Sequence, residues 1–103
     1  MASTRAPAAP TSPDSSPYGR ELGDLARADV RWRVHLEARP HPRGPDGARG
    51  TPLQGRLHFV EVAGAERVRS TGWIFVEWTE ADILARFGEF SAAELWLLLD
   101  SLG

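Results

Sequence analysis

The segment from Val68 to Trp78 constrains the fold more than any other, because no other stretch is as rich in β-branched and aromatic residues. We predict that it forms the strand around which the core is built. Successive side chains of a strand point to opposite faces. We assign to the core face Val68, Ser70, Gly72, Ile74, Val76 and Trp78. The opposite face then carries Trp73 and Phe75 among charged residues, so either the chain's own helices or a partner should cover these two rings.

The composition is that of a small globular protein. A chain of 103 residues that is 42% hydrophobic and 25% charged suffices for one domain with tails and is too short for two well-formed cores. The formal net charge of −2 provides no overall field that would draw the protein to nucleic acid or to an anionic membrane.

The absence of cysteine excludes disulfides and thiolate chemistry. We find no run of about 18 apolar residues and no signal-peptide pattern, so we expect a cytoplasmic protein with no membrane segment. Abundant Ala, Arg, Gly and Pro, with no lysine, indicate a GC-rich bacterial genome.

The N-terminal segment from Met1 to Tyr18 consists mainly of Ala, Ser, Thr and Pro. Such a segment buries too little apolar surface to offset the entropy lost on ordering it. We therefore predict a disordered arm over these residues and a single small domain over residues 19–103. At the start of the domain, residues 20–28 have Leu22 and Leu25 at helical spacing, a pattern that fits either a short helix or a wrapped arm.

Two segments on either side of a loop rich in Pro and Gly have the alternating pattern of half-buried strands. Val30 to Arg39 alternates strictly between apolar and polar residues, and Leu53 to Val62 alternates over most of its length. The loop between them, residues 40–52, contains four prolines and three glycines. It should therefore be exposed and irregular.

The register of the predicted sheet follows from matching core face to core face across each turn. The predicted neighbours across the first hairpin are Glu37 with Arg56 and His35 with His58. The predicted neighbours across the turn at residues 63–66 are Arg56 with Trp73, His58 with Thr71 and Gln54 with Phe75. The Glu37–Arg56 pair brings opposite charges together, which supports this register.

After the anchor segment, the apolar period changes from two to about 3.6 residues, which predicts two helices. The first, capped by Thr79, spans residues 80–87. The second begins with a capping box from Ser91 to Glu94 and ends near Leu102. The sequence therefore predicts an α+β fold: a three-stranded antiparallel meander sheet followed by two C-terminal helices that cover one face, preceded by the disordered arm.

The last helix has more large apolar residues than one buried stripe can use. The inward stripe consists of Leu95, Leu98, Leu99 and Leu102. Trp96 lies about 100° around the helix from Leu95, and Leu97 lies about 200° around it. The helix is therefore either packed on two sides within the domain or involved in an interface with another protein.

Catalytic and metal-binding patterns are weak in this chain. His35 and His58 could ligate a metal if Glu37 or His41 supplied a third ligand, and His58 could act as a general base for a serine such as Ser70. No nucleophile elbow, phosphate loop, paired-carboxylate arrangement or HExxH motif is present. We therefore predict no catalytic residues, no metal and no cofactor.

The leading hypothesis is a non-enzymatic protein-interaction module: a small adaptor, regulator or neutralising partner protein that forms a homodimer or binds a larger protein. The predicted partner-binding residues are Trp96, Leu97, Trp73, Phe75, Arg56 and Arg33. The second hypothesis is a regulator associated with nucleic acid, which would use the sheet face that carries arginines and aromatics. It is the less favoured of the two, since the last helix has none of the cationic or amide side chains of a recognition helix. A small hydrolase or metal-binding protein is the third hypothesis.

Overall fold

Five strands and two helices follow one another in the residues that the computed structural model describes, which are 17–42, 50–63 and 67–102. The strands are β1 (Arg20–Arg27), β2 (Val30–Pro40), β3 (Leu53–Glu61), β4 (Val68–Ser70) and β5 (Phe75–Glu77). The helices are α1 (Glu80–Phe87) and α2 (Ala92–Ser101). The predicted α+β class, an antiparallel sheet followed by two C-terminal helices, is confirmed. Of the predicted disordered arm, residues 1–18, all but the last two residues lie outside the described residues, and Tyr18 packs against the sheet instead. Most of the predicted loop, residues 43–49, also lies outside them.

The hairpin of β2 and β3 has the predicted register. Glu37 lies opposite Arg56, and His35 lies opposite His58. The alternation also assigns the buried face correctly, because the side chains on that face of both strands are almost fully buried. These core residues are Trp32, Val34, Leu36, Leu57 and Phe59.

Residues 20–27 form a strand, so neither the helix nor the wrapped arm predicted for this region is present. β1 pairs antiparallel with β2, and the register shifts between Glu21 and Gly23. One extra residue is inserted in β1 at this irregularity. Leu22 and Leu25 are therefore three positions apart, and the sequence does not show the period of two that is typical of a strand. Leu25 nevertheless enters the core. Pairing with the long strand β2 therefore determines the conformation of a segment whose own pattern is ambiguous.

The anchor segment is divided into two short strands, and its predicted faces are reversed. Ser70 of β4 lies opposite His58, whereas Phe75 of β5 lies opposite Gly55. Phe75 is five positions after Ser70, but their partners, Gly55 and His58, are three positions apart, so the anchor segment has two additional residues between its halves. Because two is an even number, the same faces are reversed in both halves: Arg69 lies opposite the core residue Phe59, and Phe75 is in the core and 6% exposed, whereas Ile74 is 46% exposed.

The interruption is stabilised by Thr71. Its backbone N–H donates to the Leu57 carbonyl at 2.9 Å, and its hydroxyl oxygen accepts from the Leu57 N–H at 3.0 Å. The same hydroxyl donates to the Gly72 carbonyl at 2.6 Å. Because the Thr71 side chain replaces a backbone acceptor, β3 keeps its hydrogen bonds while the anchor segment leaves the regular ladder.

The two helices begin as predicted and pack on the core face of the sheet. The Thr79 hydroxyl accepts from the Asp82 N–H, and Ser91 and Glu94 form the reciprocal capping box. Ile83 of α1 is completely buried, close to the position that a β-carbon on Gly55 would occupy. Glycine at this position of β3 therefore allows α1 to approach the sheet closely. Within the described residues, neither helix has the length and apolarity needed to cross a membrane.

Candidate functional site

The unpaired side of β5 carries a row of exposed apolar side chains. Among the described strands β5 pairs only with β3, whose other side is occupied by β2. Val76, in the middle of β5, is 54% exposed although its neighbour Gln54 is buried. Ile74 and Trp78 have the same alternation as Val76 and are also about half exposed. Three large apolar side chains therefore project beside a sheet edge that no described strand covers.

A groove of about 500 Å³ runs along this edge, and we call it the edge groove. One wall consists of residues 74–77, which include all of β5, and the other consists of the end of α1, the start of α2 and the segment between them. Phe90, between the helices, contributes an apolar surface, and its ring packs edge-on against Phe75 with the centroids 6.2 Å apart. The other lining residues are Ile74, Val76, Glu77, Arg86, Glu89 and Glu94.

The edge groove contains more negative than positive charge. The single guanidinium that the described residues contribute to it, on Arg86, lies 3.4 Å from a carboxylate oxygen of Glu77 and 3.5 Å from one of Glu89. The Glu94 carboxylate accepts from the Ser91 N–H at 2.8 Å, so the carboxylate of this third glutamate is held at the start of α2. One cation is therefore shared between two glutamates, and the third has no arginine partner among the described residues.

The structure separates the residues that the sequence assigned to a partner-binding surface. Phe75 is a core residue, so its predicted exposure is wrong. Trp73 is partly buried because the Arg39 and Arg56 guanidinium groups lie over its ring, at 4.0 Å and 4.5 Å from the centroid. Arg33 is held by Asp24, whose carboxylate accepts from the Arg33 Nε at 2.9 Å. This hydrogen bond is the main reason why the pKa of Asp24 lies below its ordinary value.

Trp96 and Leu97 have the orientations predicted from the helical period. Leu97 is 71% exposed. Trp96 is partly buried, and the Arg27 guanidinium lies over its ring at 4.0 Å from the centroid. The Arg27 Nη2 also lies 3.3 Å from an Asp100 carboxylate oxygen. Contacts within the chain therefore cover most of Trp96 and leave Leu97 in solvent.

A second cluster lies on the face of the sheet opposite the helices, where Tyr18 covers the paired histidines. The Tyr18 ring centroid is 5.8 Å from that of His35 and 5.6 Å from that of His58. The chain reaches this position through Gly19, which has a φ of +96°. A β-carbon at Gly19 would overlap the Leu36 carbonyl, so only glycine allows this close approach.

His58 connects Glu37 with Ser70 in a chain of two short hydrogen bonds. With its proton on Nε2, the imidazole donates to the Glu37 carboxylate at 2.7 Å, and its Nδ1 accepts from the Ser70 hydroxyl at 2.6 Å. The same carboxylate oxygen accepts from the Arg56 Nε at 2.9 Å. These hydrogen bonds, above all the one from His58, hold the pKa of Glu37 below its ordinary value. The serine that the sequence suggested as a partner for His58 is thus correctly identified.

His35 has a different environment from its neighbour. Its ring is buried, and its Nδ1 has no hydrogen-bond partner in the part of the chain that the structure describes. Burial disfavours the charged imidazolium and lowers the pKa of His35, although a hydrogen bond to the Gly19 backbone acts in the opposite direction. Within residues 17–42, 50–63 and 67–102, no group of three or more His, Asp or Glu side chains is arranged to hold a metal ion.

The exposed apolar row at and beside β5 was not predicted from the sequence. Ile74, Val76 and Trp78 were assigned to the core face, whereas the structure exposes them. The reversal is already present in β4, where Val68 is 41% exposed and Arg69 lies opposite the core residue Phe59, so it comes from the register across the turn between β3 and β4. A shift of one residue in that register reverses the faces of all the residues after the turn.

Comparison with known proteins provides no further assignment. Scans of protein-family models, of curated proteins and of solved structures found no match to the chain.

Proposed function

We propose that the protein is a small, non-enzymatic interaction module that binds another polypeptide, or a second copy of itself, along the edge groove. The observation that supports this proposal is the row of exposed apolar side chains on an edge strand, centred on Val76. Proteins usually protect such edges with charges, proline or a covering segment. An edge that is both unpaired and apolar is therefore suited to strand addition by a partner.

Backbone pairing and burial of apolar side chains would both contribute to the affinity of the groove for a partner. Backbone N–H and C=O groups on the open side of β5 can extend the sheet by one strand. Ile74, Val76 and Phe90 can bury apolar side chains of that added strand, and such burial contributes about 25 cal/mol per Å² of area removed from water. The proposed setting is the cytoplasm of a bacterium, where the protein would act as an adaptor, a regulator or a neutralising partner.

Leu97 is a second candidate contact, because an isolated side chain with this exposure gains from burial against a partner. It lies on α2 and is not part of the groove lining. Trp73, Arg56 and Arg33 are less suited to binding, since their rings or charges already have partners within the chain.

Two variants distinguish the two candidate surfaces. Val76→Lys places a charge in the groove, and Leu97→Glu places one on α2; both positions are exposed, so both variants should keep the circular dichroism spectrum of the wild type. Self-association is measured by light scattering, and partners are recovered from the native host with each variant as bait. We expect Val76→Lys to abolish the association and Leu97→Glu to have the smaller effect. A wild-type protein that is monomeric and captures nothing that depends on Val76 or Leu97 would refute the proposal.

Binding to nucleic acid is not favoured by the charges on the sheet face. Arg33 and Arg56 both have carboxylate partners, and Arg39 and Arg56 cover the faces of Trp73 on which a base would stack. A salt titration of any observed association tests this alternative, because phosphate contacts produce a steep loss of affinity with salt.

The hydrogen-bonded chain from Ser70 to Glu37 favours acyl transfer as a second candidate function. In such a reaction the Ser70 oxygen would attack an acyl carbon while His58 Nδ1 accepts the hydroxyl proton and Glu37 stabilises the resulting imidazolium. A fluorophosphonate probe tests this function, since labelling of the wild type that is lost in both Ser70→Ala and His58→Ala would support it. Absence of labelling in the wild type would exclude it.

A further inference from the structure

The edge groove has a charge pattern that discriminates between classes of partner. Its carboxylates come from three positions around the groove: β5, the segment between the helices and the first turn of α2. They belong to Glu77, Glu89 and Glu94. Arg86 is the only cationic residue among the described residues that line it, and its ion-pair distances of 3.4 Å and 3.5 Å are long. The rim of the groove is therefore acidic, whereas its inner surface is apolar.

We infer that the polypeptide bound in the edge groove is an extended, cationic segment of a different protein, which adds to the sheet beside β5. This inference rests on the proposed function, because it specifies the partner of the same groove. Arginine and lysine suit such a surface, since their aliphatic stems can pack on Phe90 while their charged ends reach the glutamates. Acidic segments would meet three carboxylates and a single guanidinium, on Arg86, that two of these carboxylates already share.

The alternation of strands predicts where the cationic residues of the partner lie. Side chains on one face of the added strand would lie beside Ile74 and Val76, which favours apolar residues there. Side chains on the other face would lie toward the helices, near Phe90, Glu89 and Glu94, which favours arginine or lysine. The expected segment therefore alternates apolar and cationic residues.

A second copy of the chain is a poor occupant of the groove. If two β5 strands paired about a two-fold axis, each copy would bring the same three glutamates to the interface and only Arg86 as a cation. Like charges placed together at an interface are unfavourable, particularly where solvent is excluded. The charge distribution therefore favours a heterologous, basic partner over a homodimer.

Synthetic peptides test this inference on the full-length protein. The probes are a short peptide in which valine alternates with arginine and a matched peptide in which glutamate replaces every arginine. Binding is measured by isothermal titration calorimetry at low and high salt. We expect the arginine peptide to bind, with an affinity that decreases as salt increases, and the glutamate peptide not to bind. Tighter binding of the glutamate peptide, or equal binding of both, would overturn the inference.

A pair of variants tests the role of the glutamates. Glu89→Gln removes one charge from the groove, and Asp29→Asn makes the same change of net charge in the turn between β1 and β2, at the opposite end of the sheet from β5. We expect Glu89→Gln to weaken the binding of the arginine peptide about twofold to fivefold, the range for an exposed ion pair, and Asp29→Asn to leave it unchanged. Equal effects of the two variants would show that only the overall charge matters, and would overturn the assignment to the groove.

N-methylated peptides separate strand addition from simple charge attraction. Methylation of alternate amides along the edge that faces β5 removes the donors for sheet pairing, whereas methylation along the other edge leaves them intact. Only the first modification should abolish binding. Equal sensitivity to the two modifications would contradict an added strand.

The outcomes also distinguish the inference from the proposed function. Light scattering of the wild type and of Val76→Lys, together with the two peptides, provides the comparison. If self-association or binding of the glutamate peptide depends on Val76, the groove is a docking site but the cationic partner is wrong. If no peptide binds and neither self-association nor capture of a host protein depends on Val76, the proposed function fails together with the inference.

Discussion

Phe75 is paired with Gly55 across β5 and β3, and this pairing directs the phenylalanine ring into the core. The position opposite it has no side chain, and α1 approaches closely there through Ile83. Phe75 thus connects the sheet edge with the two helices, and its ring also packs against Phe90. Its neighbours in the chain, Ile74 and Val76, point away from this contact and remain in solvent.

The first prediction compares adjacent residues of the same strand region. Phe75→Ala should lower the free energy of unfolding by about 3–5 kcal/mol, because it removes a large buried side chain. Ile74→Ala should lower it by less than about 1 kcal/mol, because the side chain is exposed. Urea denaturation of both variants provides the measurement. The reverse order would mean that the faces of β5 are assigned incorrectly.

The second prediction concerns the pH dependence of stability through His35. Its pKa in the folded protein is lowered from 6.5, so between the folded value and about 6.5 the unfolded chain binds a proton that the folded chain does not. The free energy of unfolding should therefore decrease as the pH falls below about 6.5, with a slope of up to about 1.4 kcal/mol per pH unit. The lowered pKas of Glu37 and Asp24 act in a separate window, because their stabilisation is lost only as the pH falls below about 4.5 and about 3.8.

A variant of His35 tests whether this residue causes the loss of stability below about pH 6.5. His35→Phe keeps an aromatic ring beneath Tyr18 and removes the titrating group. Urea denaturation over a pH series from about 5 to 8 should show a smaller slope in the variant than in the wild type. An unchanged slope would show that another group is responsible.

The third prediction ranks the two hydrogen bonds that the Glu37 carboxylate accepts. His58 is buried, whereas the Arg56 side chain is about one third exposed. A double-mutant cycle between Glu37 and His58 should therefore give a coupling of about 1.5–3 kcal/mol, as expected for a hydrogen bond between a buried group and a charge. The cycle between Glu37 and Arg56 should give about 0.2–1 kcal/mol. Couplings of equal size, both measured with alanine variants in urea, would contradict the difference in burial.

The parts of the fold that the sequence predicts are those with a clear period. The β2–β3 register follows from two strands that alternate between apolar and polar residues, and the helices follow from the caps at Thr79 and Ser91. The anchor segment has large apolar residues on both faces, at Phe75 and at Val76, so its pattern does not determine which face is buried. The register across the turn between β3 and β4 decides it: Arg69 lies opposite Phe59, so the odd-numbered residues face the core before and after the interruption at Thr71.

In the candidate sites too, the features that follow from a periodic pattern were predicted and those that depend on tertiary contacts were not. Exposure of Leu97 follows from helical geometry alone, and the contact between Arg56 and Trp73 was predicted as a cross-strand neighbour pair. The edge groove depends on the position of Phe90 relative to β5, which is a tertiary relationship. Burial of His35 depends on Tyr18, a single aromatic at the end of a segment rich in Pro and Ser, whose composition indicates no packing role.

The last prediction concerns Tyr18 and the number of N-terminal residues that can be deleted without loss of stability. Residues 1–16 contain few side chains capable of substantial burial, so their deletion should leave the melting temperature nearly unchanged. Extending the deletion through Tyr18 removes the ring that covers His35 and His58 and should lower the melting temperature by several degrees, because about 1 kcal/mol shifts a domain of this size by about 4–8 °C. Tyr18→Ala in the full chain is the matched control and should reproduce most of the decrease. If the longer deletion and Tyr18→Ala both melt with the wild type, the contact of Tyr18 with the histidines does not stabilise the fold.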